Sequence, residues 1–206
     1  MKLGKFITFE GPDGCGKSTL AKTVAEALGQ RVPCVLECEP TQNSIGKLIR
    51  EHSLHNDLAP QSFLFLFLAD RYEHIQTTLL PALQKSQWVI LDRYMDSTWA
   101  YQSAHCQMGV VELKRWLRNF KGFLVPDRTY LLKLSYDAML KRIQDRKRLE
   151  ANDRAGQRFY EDVAERFYQL AKEEARGVSA RYKILDATQS VQKLTKYILQ
   201  DLESWI

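Results

Sequence analysis

The chain has 206 residues, of which 45% are hydrophobic and 27% are charged, and its formal net charge is +5. This length suits one α/β domain with a large core, spanning residues 1–206. No run approaches the 18 apolar residues of a membrane span and no signal peptide is visible, so we expect a cytoplasmic protein without a membrane partner. The four cysteines lack metal-ligand spacing, which predicts free thiols.

The chain begins with a predicted strand, Phe6–Glu10, followed by the pattern Gly-x-x-x-x-Gly-Lys-Ser from Gly11 to Ser18. From Leu20 onwards, apolar residues recur at the four-residue spacing of a helix. In a strand-to-helix loop, glycines let backbone N–H groups point at phosphates, Lys17 reaches the β- and γ-phosphates, and the serine ligates Mg²⁺. The alternative, a glycine-rich turn with a chance lysine, lacks this context. The predicted ATP-binding residues are Gly11, Pro12, Asp13, Gly14, Cys15, Gly16, Lys17, Ser18 and Thr19.

Strands and helices are predicted to alternate along the rest of the chain. Four further strands are expected at Pro33–Pro40, Trp88–Leu91, Thr129–Leu134 and Tyr182–Asp186. Helical spacing of apolar residues predicts helices at Gln61–Lys85, Ser97–Gln102, Val111–Phe120, Ala138–Arg146, Phe159–Gly177 and Val191–Ile206, with a polar loop at Ser103–Gly109. This alternation predicts a three-layer α/β fold with a parallel sheet of about five strands.

Two charged segments are predicted to serve the phosphate site. Asp92 and Arg93 follow the third strand, at the carboxyl end where open parallel sheets bind ligands. Asp92 is the expected partner of Ser18 in holding Mg²⁺, and its alternative role is a strand cap paired with Arg93. Residues 146–158 are polar and strongly charged, which makes them a candidate lid. No Asn-Lys-x-Asp motif for guanine is present, which argues against a GTPase. The candidate lid favours transfer to a bound acceptor, and therefore a small-molecule kinase.

Motifs spread over nearly the whole chain resemble those of the thymidylate kinase family. In chain order they are Glu10–Thr19, Glu39-Pro40, Phe67-x-x-x-Arg71, Asp92–Gln102, Pro126-Asp127 and Asp186–Gln189. The resemblance implies a P-loop kinase fold and transfer of the γ-phosphoryl group of MgATP to dTMP, giving dTDP and ADP in dTTP synthesis. It also implies a homodimer, with which the apolar surface around residues 63–68 is compatible.

The resemblance implies roles for five residues of an acceptor pocket. Phe67 and Arg71 lie four residues apart and share a helix face; the matching residues of the family stack on thymine and contact the base. Arg93 matches the arginine that holds the acceptor phosphate, a role that suits a bidentate donor. Asp13 corresponds to the acid that meets the sugar 3′-hydroxyl, and Glu39 belongs to the same end of the pocket. For Phe67, an ordinary core position is the alternative.

Four further residues match the helix that lines the nucleotide in this family: Ser97, Thr98, Tyr101 and Gln102. Thr98 and Gln102 are the polar groups best placed to read the base edge. Tyr101 is expected against the sugar, where a 2′-hydroxyl would crowd. A surface or packing role is the alternative for all four.

The catalytic charge is expected from Lys17, Arg93 and the lid. Gly14 stands where one subclass of the family has an arginine, so the chain resembles the bacterial type, which supplies this arginine from the lid. The candidates are Arg146, Arg148 and Arg154, of which we favour the last two. A solvated run of charges is the alternative.

Three segments depart from the family pattern. Cys38 replaces an arginine before Glu-Pro, so one contact to the acceptor phosphate is either missing or supplied by Arg50. Residues 41–44 replace a Gly-Gly-Thr segment, and residues 103–108 replace a glycine-rich loop, whose conformation is therefore open.

Two other functions are compatible with parts of the sequence. A deoxynucleoside kinase needs a carboxylate base for a neutral hydroxyl, and Asp92 could serve, but that family has Glu-Arg-Ser where this chain has Asp92-Arg93-Tyr94. A nucleotide-dependent assembly protein on nucleic acid would use the basic surplus. Because basic and acidic residues are mixed and no long aromatic-basic stripe is present, we expect no nucleic-acid partner.

Overall fold

Five parallel strands form the centre of the computed structural model, which describes residues 4–55, 57–144, 156–175 and 181–206. The strands are β1 Phe6–Glu10, β2 Cys34–Cys38, β3 Trp88–Asp92, β4 Arg128–Lys133 and β5 Tyr182–Asp186. Their order in the sheet is β2-β3-β1-β4-β5. The predicted parallel α/β sheet of about five strands is therefore confirmed, and its central strand is the one that leads into the phosphate loop.

Each of the five strands is followed by one or more helices. They are α1 Lys17–Gly29, α2 Ser44–His55, α3 Pro60–His74, α4 Leu80–Gln84, α5 Met95–Ser97, α6 Ser103–His105, α7 Val110–Trp116, α8 Tyr136–Gln144, α9 Gly156–Ala175 and α10 Val191–Leu202. A π-helical turn at Ile75–Leu79 joins α3 to α4, and another at Thr98–Gln102 joins α5 to α6. The long helix predicted for Gln61–Lys85 is confirmed as this continuous α3–π–α4 run.

The side chains of β1 alternate between two hydrophobic cores, as expected for a strand buried on both faces. Ile7 packs into a cluster with Leu20 of α1 and Ile198 of α10. Phe6 packs into a second cluster with Leu64 of α3, on the opposite face of the sheet. These two helical layers around one sheet confirm the predicted three-layer fold.

Two local predictions were wrong. Residues 103–105 continue the helix instead of starting a loop, because the buried Ser103 hydroxyl bonds to backbone carbonyls of the preceding turn. The end predicted at Phe120 for the helix Val111–Phe120 was also wrong: α7 spans Val110–Trp116. The residues after it form tighter turns, in which Arg118 N–H donates to Arg115 O at 3.2 Å and Phe120 N–H donates to Leu117 O at 3.0 Å.

The candidate lid lies mostly outside the described residues. Of residues 146–158, only 156–158 are described, and they form the first turn of α9 rather than a loop. Within the part of the chain that the structure describes, no helix is long and apolar enough to cross a membrane. The cytoplasmic location and the single domain stay predictions.

Candidate active site

The loop from Gly11 to Ser18 wraps around the N-terminus of α1. Gly11 has φ +139° and a Cβ there would lie 2.6 Å from the carbonyl oxygen of Leu132, so only glycine fits. Gly16 has φ +95° and directly precedes α1. The Lys17 ammonium is buried and donates a 2.8 Å hydrogen bond to the carbonyl oxygen of Pro12. The loop therefore directs a lysine and a helix N-terminus at one place, as anion binding requires.

Ser18 and Asp92 meet beside this loop because β3 is the neighbour of β1. The Ser18 hydroxyl donates a hydrogen bond to Oδ2 of Asp92. The other carboxylate oxygen, Oδ1, is buried and has no hydrogen-bond partner among the described residues. Mg²⁺ is commonly held by one or two protein oxygens together with substrate phosphates and water, so this pair fits such an ion. In the described ranges, no group of three or more His, Cys, Asp or Glu residues could form an all-protein metal site.

Arg93 lies between the phosphate loop and the helix that follows β3. Its backbone adopts the left-handed conformation, with φ +68°, which turns the chain sharply at the end of the strand. The guanidinium donates to Oδ1 of Asp13, to the Ser97 hydroxyl at 3.1 Å and to the Gly11 carbonyl at 3.3 Å. Although burial, the largest single influence, lowers the pKa of Arg93, the Asp13 carboxylate and the other acidic groups around it together outweigh burial and raise the pKa. A fixed, permanent cation thus faces the loop.

Tyr101 holds Asp13 from the opposite side. Its hydroxyl donates to Oδ2 of Asp13 and accepts from the Asp13 backbone N–H, both at 2.9 Å. The Arg93 guanidinium lies 5.3 Å from the centre of its ring, within cation–π range. Burial raises the pKa of Tyr101 and the Asp13 carboxylate raises it further, so the hydroxyl stays protonated. Asp13, Arg93 and Tyr101, all predicted acceptor residues, form one contact network.

Arg71 is an almost fully buried cation on the inner face of α3. Its Nε donates to Oε2 of Glu39 at 2.7 Å, and its Nη1 donates to the Thr98 hydroxyl at 2.6 Å. Its Nη2 donates to the carbonyl oxygen of Tyr94 at 3.0 Å. The structure therefore brings Glu39, Arg71 and Thr98 together, although they come from three separate segments.

His74 lies one turn after Arg71 and was not among the site residues predicted from the sequence. Its Nδ1 lies 3.1 Å from Oε1 of Glu39, and its Nε2 lies 3.5 Å from Oε2 of Glu37. Burial alone would lower the pKa of His74, but the hydrogen bonds and charges of these two glutamates outweigh it and raise the pKa to about 9. The imidazole is therefore charged at neutral pH and supports the Glu39 carboxylate. The spacing Arg-x-x-His on a helix face was the available signal.

The remaining predicted acceptor residues lie around this network. Phe67 is half-buried on α3, and its ring packs edge-on against Phe63 with a centroid distance of 5.0 Å. Ser97 and Gln102 are buried on the segment that follows β3. Phe67 is thus one helical turn from Arg71 on the same side of α3 and is not sequestered in the core.

Glu10 is a further buried residue that the sequence did not single out. Its carboxylate accepts hydrogen bonds from the Tyr94 N–H at 2.8 Å and from the Ser97 hydroxyl at 2.6 Å. Burial, assisted by the nearby Asp96 carboxylate, raises the pKa of Glu10 to about 7. Since Ser97 also accepts from Arg93, Glu10 helps to hold the turn that carries this cation.

A cavity of about 290 Å³ adjoins the phosphate loop on the α1 and α10 side. Apolar side chains of Leu20, Leu132 and Leu194 line it. Arg142 of α8 closes one wall and donates to the Cys15 carbonyl at 2.9 Å and to the carbonyl of Ala187. The sequence prediction missed Arg142, because only the fold brings α8 to the loop.

Three predicted contributions are placed elsewhere or not described. Arg146, Arg148 and Arg154 lie outside the described residues. Arg50 donates to the carbonyl oxygens of Pro40, at 2.6 Å, and Thr41, so it supports the loop after β2. Cys38 is half-buried, and burial raises the pKa of its thiol. Whether Arg50 replaces an acceptor contact stays a prediction.

Comparison with known proteins identifies the family. The family model described as thymidylate kinase matches residues 9–198. Proteins named thymidylate kinase from Carboxydothermus hydrogenoformans and Bifidobacterium longum strain DJO10A are each 34% identical, over 93% of both chains for the first, and over 97% of this chain and 98% of the relative for the second. One from Rickettsia rickettsii strain Sheila Smith is 35% identical over 83% of this chain and 85% of its own. The chain belongs to the thymidylate kinase family.

Proposed function

We propose that the enzyme transfers the γ-phosphoryl group of ATP to dTMP and so produces dTDP and ADP for dTTP synthesis. The observation that carries this proposal is the contact between Arg93 and Asp13. It joins the phosphate loop to the predicted acceptor residues, as transfer between two bound nucleotides requires. The family membership supports the same reaction.

The donor nucleotide is proposed to bind along the loop and in the adjoining cavity. Lys17 and the N-terminus of α1 suit the triphosphate. The leucine-lined cavity beside Arg142 suits a nucleoside base, because it offers apolar walls and a planar cation. Ser18 and Asp92 are the residues that would hold Mg²⁺, which neutralises phosphate charge when bound.

The acceptor is proposed to lie between Arg93 and the face of α3 that carries Phe67 and Arg71. Arg93 would hold the monophosphate, and the half-buried Phe67 would stack on the base. Thr98 and Gln102 would read the base edge. The Asp13 and Glu39 carboxylates would serve the sugar end, with the Tyr101 ring against C2′.

The reaction needs alignment and charge stabilisation rather than a general base. A phosphate oxygen of dTMP is already ionised, so it attacks the γ-phosphorus directly while the bond to the bridging oxygen of ADP breaks. Lys17, Arg93 and the lid residues Arg148 and Arg154 would stabilise the charge that spreads over the transferred group. Closure of the lid would exclude water and limit ATP hydrolysis.

A homodimer is proposed from an exposed apolar patch on α3 and α7. Phe65 is 47% exposed and Trp116 is 46% exposed, with ring centroids 5.5 Å apart. Tyr72 of α3 and Phe120, which follows α7, are also exposed. Exposed aromatic side chains of this kind are typical of protein interfaces. Light scattering should give twice the 23.9 kDa chain mass, and a monomer at micromolar concentration would contradict the proposal.

An ADP-release assay over a panel of acceptors tests the reaction. We expect dTMP to be preferred over dCMP, dGMP and UMP, and thymidine without its phosphate to be inert. Equal rates with all four monophosphates would overturn the assignment. Activity on thymidine alone would favour a deoxynucleoside kinase.

A further inference from the structure

Arg166 of α9 makes contacts that neither the sequence motifs nor the proposed reaction explain. Its Nη1 donates to the Ser103 hydroxyl at 2.8 Å and to the carbonyl oxygen of Met108 at 2.7 Å. Its Nε donates to Asp162, four residues earlier on the same helix, at 2.9 Å. The Asp162 carboxylate therefore orients the guanidinium, which joins α9 to both ends of the segment 103–108.

Ser103 transmits this contact to the π-helical turn Thr98–Gln102. The residue is fully buried. Its hydroxyl accepts from Arg166, donates to the carbonyl oxygen of Trp99 and lies 3.3 Å from that of Ala100. Both carbonyls belong to the π-helical turn. The hydrogen bond that the Ser103 hydroxyl accepts from the Arg166 guanidinium strengthens the one that the hydroxyl donates, because hydrogen bonds in a chain polarise one another.

The turn held in this way carries acceptor-pocket residues on its other side. The Thr98 hydroxyl accepts from Arg71 at 2.6 Å, and the Tyr101 hydroxyl contacts Asp13. The Tyr101 ring also touches α9, with centroid distances of 6.3 Å to Phe159 and 6.1 Å to Phe167. Helix α9 therefore contacts the turn both through hydrogen bonds and through rings.

We propose that Arg166 is a positioning residue for the acceptor pocket, holding the turn Thr98–Gln102 in register with α3 and the phosphate loop through Ser103 and Met108. It touches no substrate and acts through Thr98 and Tyr101. The contacts of Arg166 with Ser103 and Met108, called the latch below, are a property of the free protein. Only the expected effect of the latch on kinetics rests on the proposed function. Arginine suits the role because one planar group can donate to a hydroxyl, a carbonyl and a carboxylate at once.

Three variants test the latch in two measurements. Arg166→Ala removes it, Arg166→Lys keeps the charge as a conservative rescue, and Ser103→Ala breaks the relay with a small change of volume. The matched control is Lys114→Ala, which breaks the 3.0 Å ion pair of Lys114 with Glu173 between α7 and α9 and leaves the turn untouched.

The first measurement is amide hydrogen exchange of the ligand-free protein. We expect exchange within residues 98–108 to become about tenfold faster in Arg166→Ala and Ser103→Ala, the size that one lost charge-assisted hydrogen bond gives. Arg166→Lys should restore part of the protection. Unchanged exchange in this segment, or equal acceleration in the Lys114→Ala control, would overturn the latch.

The second measurement is the pair of KM values for the full-length enzyme. Arg166→Ala should raise KM for dTMP about tenfold, because a small shift of the acceptor-pocket residues has an effect of this size. KM for ATP should change by less than about twofold. Equal rises in both values would indicate general destabilisation and contradict the proposal. If wild-type enzyme leaves dTMP unphosphorylated, the proposed function fails, and the exchange data decide on the latch alone.

Discussion

Arg71 and Glu39 form a buried ion pair at the acceptor end of the site, with 2.7 Å between Nε and Oε2 and side chains only 1% and 2% exposed. The pair connects α3 to the end of β2, and Thr98 joins it from the segment after β3. Three chain segments that are far apart in sequence thus share one polar cluster. Buried pairs of this kind tolerate the loss of one partner poorly.

Replacing Arg71 by leucine should destabilise the fold as well as reduce activity. The Glu39 carboxylate would lose its main counter-charge and keep only His74, so we expect the free energy of unfolding to fall by about 3 kcal/mol. Urea denaturation measures this change. The exposed pair of Lys22 and Glu26 provides the control, because Lys22→Ala should change stability by less than about 1 kcal/mol. An Arg71→Leu protein as stable as wild type would contradict the importance of the pair.

His74 should make stability depend on pH above neutrality. Its pKa rises from 6.5 to about 9 in the folded protein, so the folded state binds the proton more tightly. The resulting stabilisation is complete below pH 6.5 and is lost as the pH rises through 9. Urea denaturation between pH 6.5 and 9.5 should show a steeper loss for wild type than for His74→Gln. The exposed His55 supplies the control, since His55→Gln should leave the wild-type profile unchanged, and identical wild-type and His74→Gln profiles would refute the expectation.

Removal of the divalent ion should abolish turnover reversibly. Chelation by EDTA is expected to stop ADP release, and added Mg²⁺ should restore it. Asp92→Asn keeps the shape of the side chain but removes its negative charge. We therefore expect kcat to fall about 10²-fold or more and the Mg²⁺ concentration needed for half-maximal activity to rise. A variant with wild-type kcat and Mg²⁺ dependence would show that Asp92 is only a strand cap.

Tyr101 combines two roles that two substitutions can separate. Tyr101→Phe loses the hydroxyl that holds Asp13 but keeps the ring, so kcat/KM for dTMP should fall about tenfold while the preference for dUMP over UMP persists. Tyr101→Ala loses both, and this preference should shrink. The ratio of kcat/KM for dUMP to kcat/KM for UMP, determined for each variant, measures this preference. A loss of discrimination already in Tyr101→Phe would show that the ring is not the discriminating group.

Local signals predicted most of the fold. The strand Phe6–Glu10, the phosphate loop and α1 follow from an apolar run, a glycine pattern and a helical period, each within one short window. The continuous run from Pro60 to Gln84 was also predicted, because its apolar spacing persists for several turns. The helical extension at Ser103–His105 was not predicted, since it depends on a buried hydroxyl and a cation that lies 63 residues away in α9.

The candidate site was predictable only where motifs mark it. The positions of Asp13, Arg93 and Tyr101 were predicted individually, but the hydrogen bonds that join them arise from the strand order. His74, Arg142 and Arg166 were missed because each contacts backbone or carboxylate groups of distant segments. The spacing Arg-x-x-His places His74 on the same helix face as Arg71, but neither this spacing nor a single charged residue on a helix identifies the partner.

Transfer of a labelled phosphoryl group tests the proposed reaction most directly. Wild-type protein is incubated with γ-³²P-ATP, Mg²⁺ and unlabelled dTMP, and the labelled products are separated. We predict that the label moves to dTDP in an amount equal to the ADP formed, with Lys17→Met as the inactive control. Label recovered as inorganic phosphate, with dTMP unchanged, would contradict the proposal that this enzyme phosphorylates dTMP.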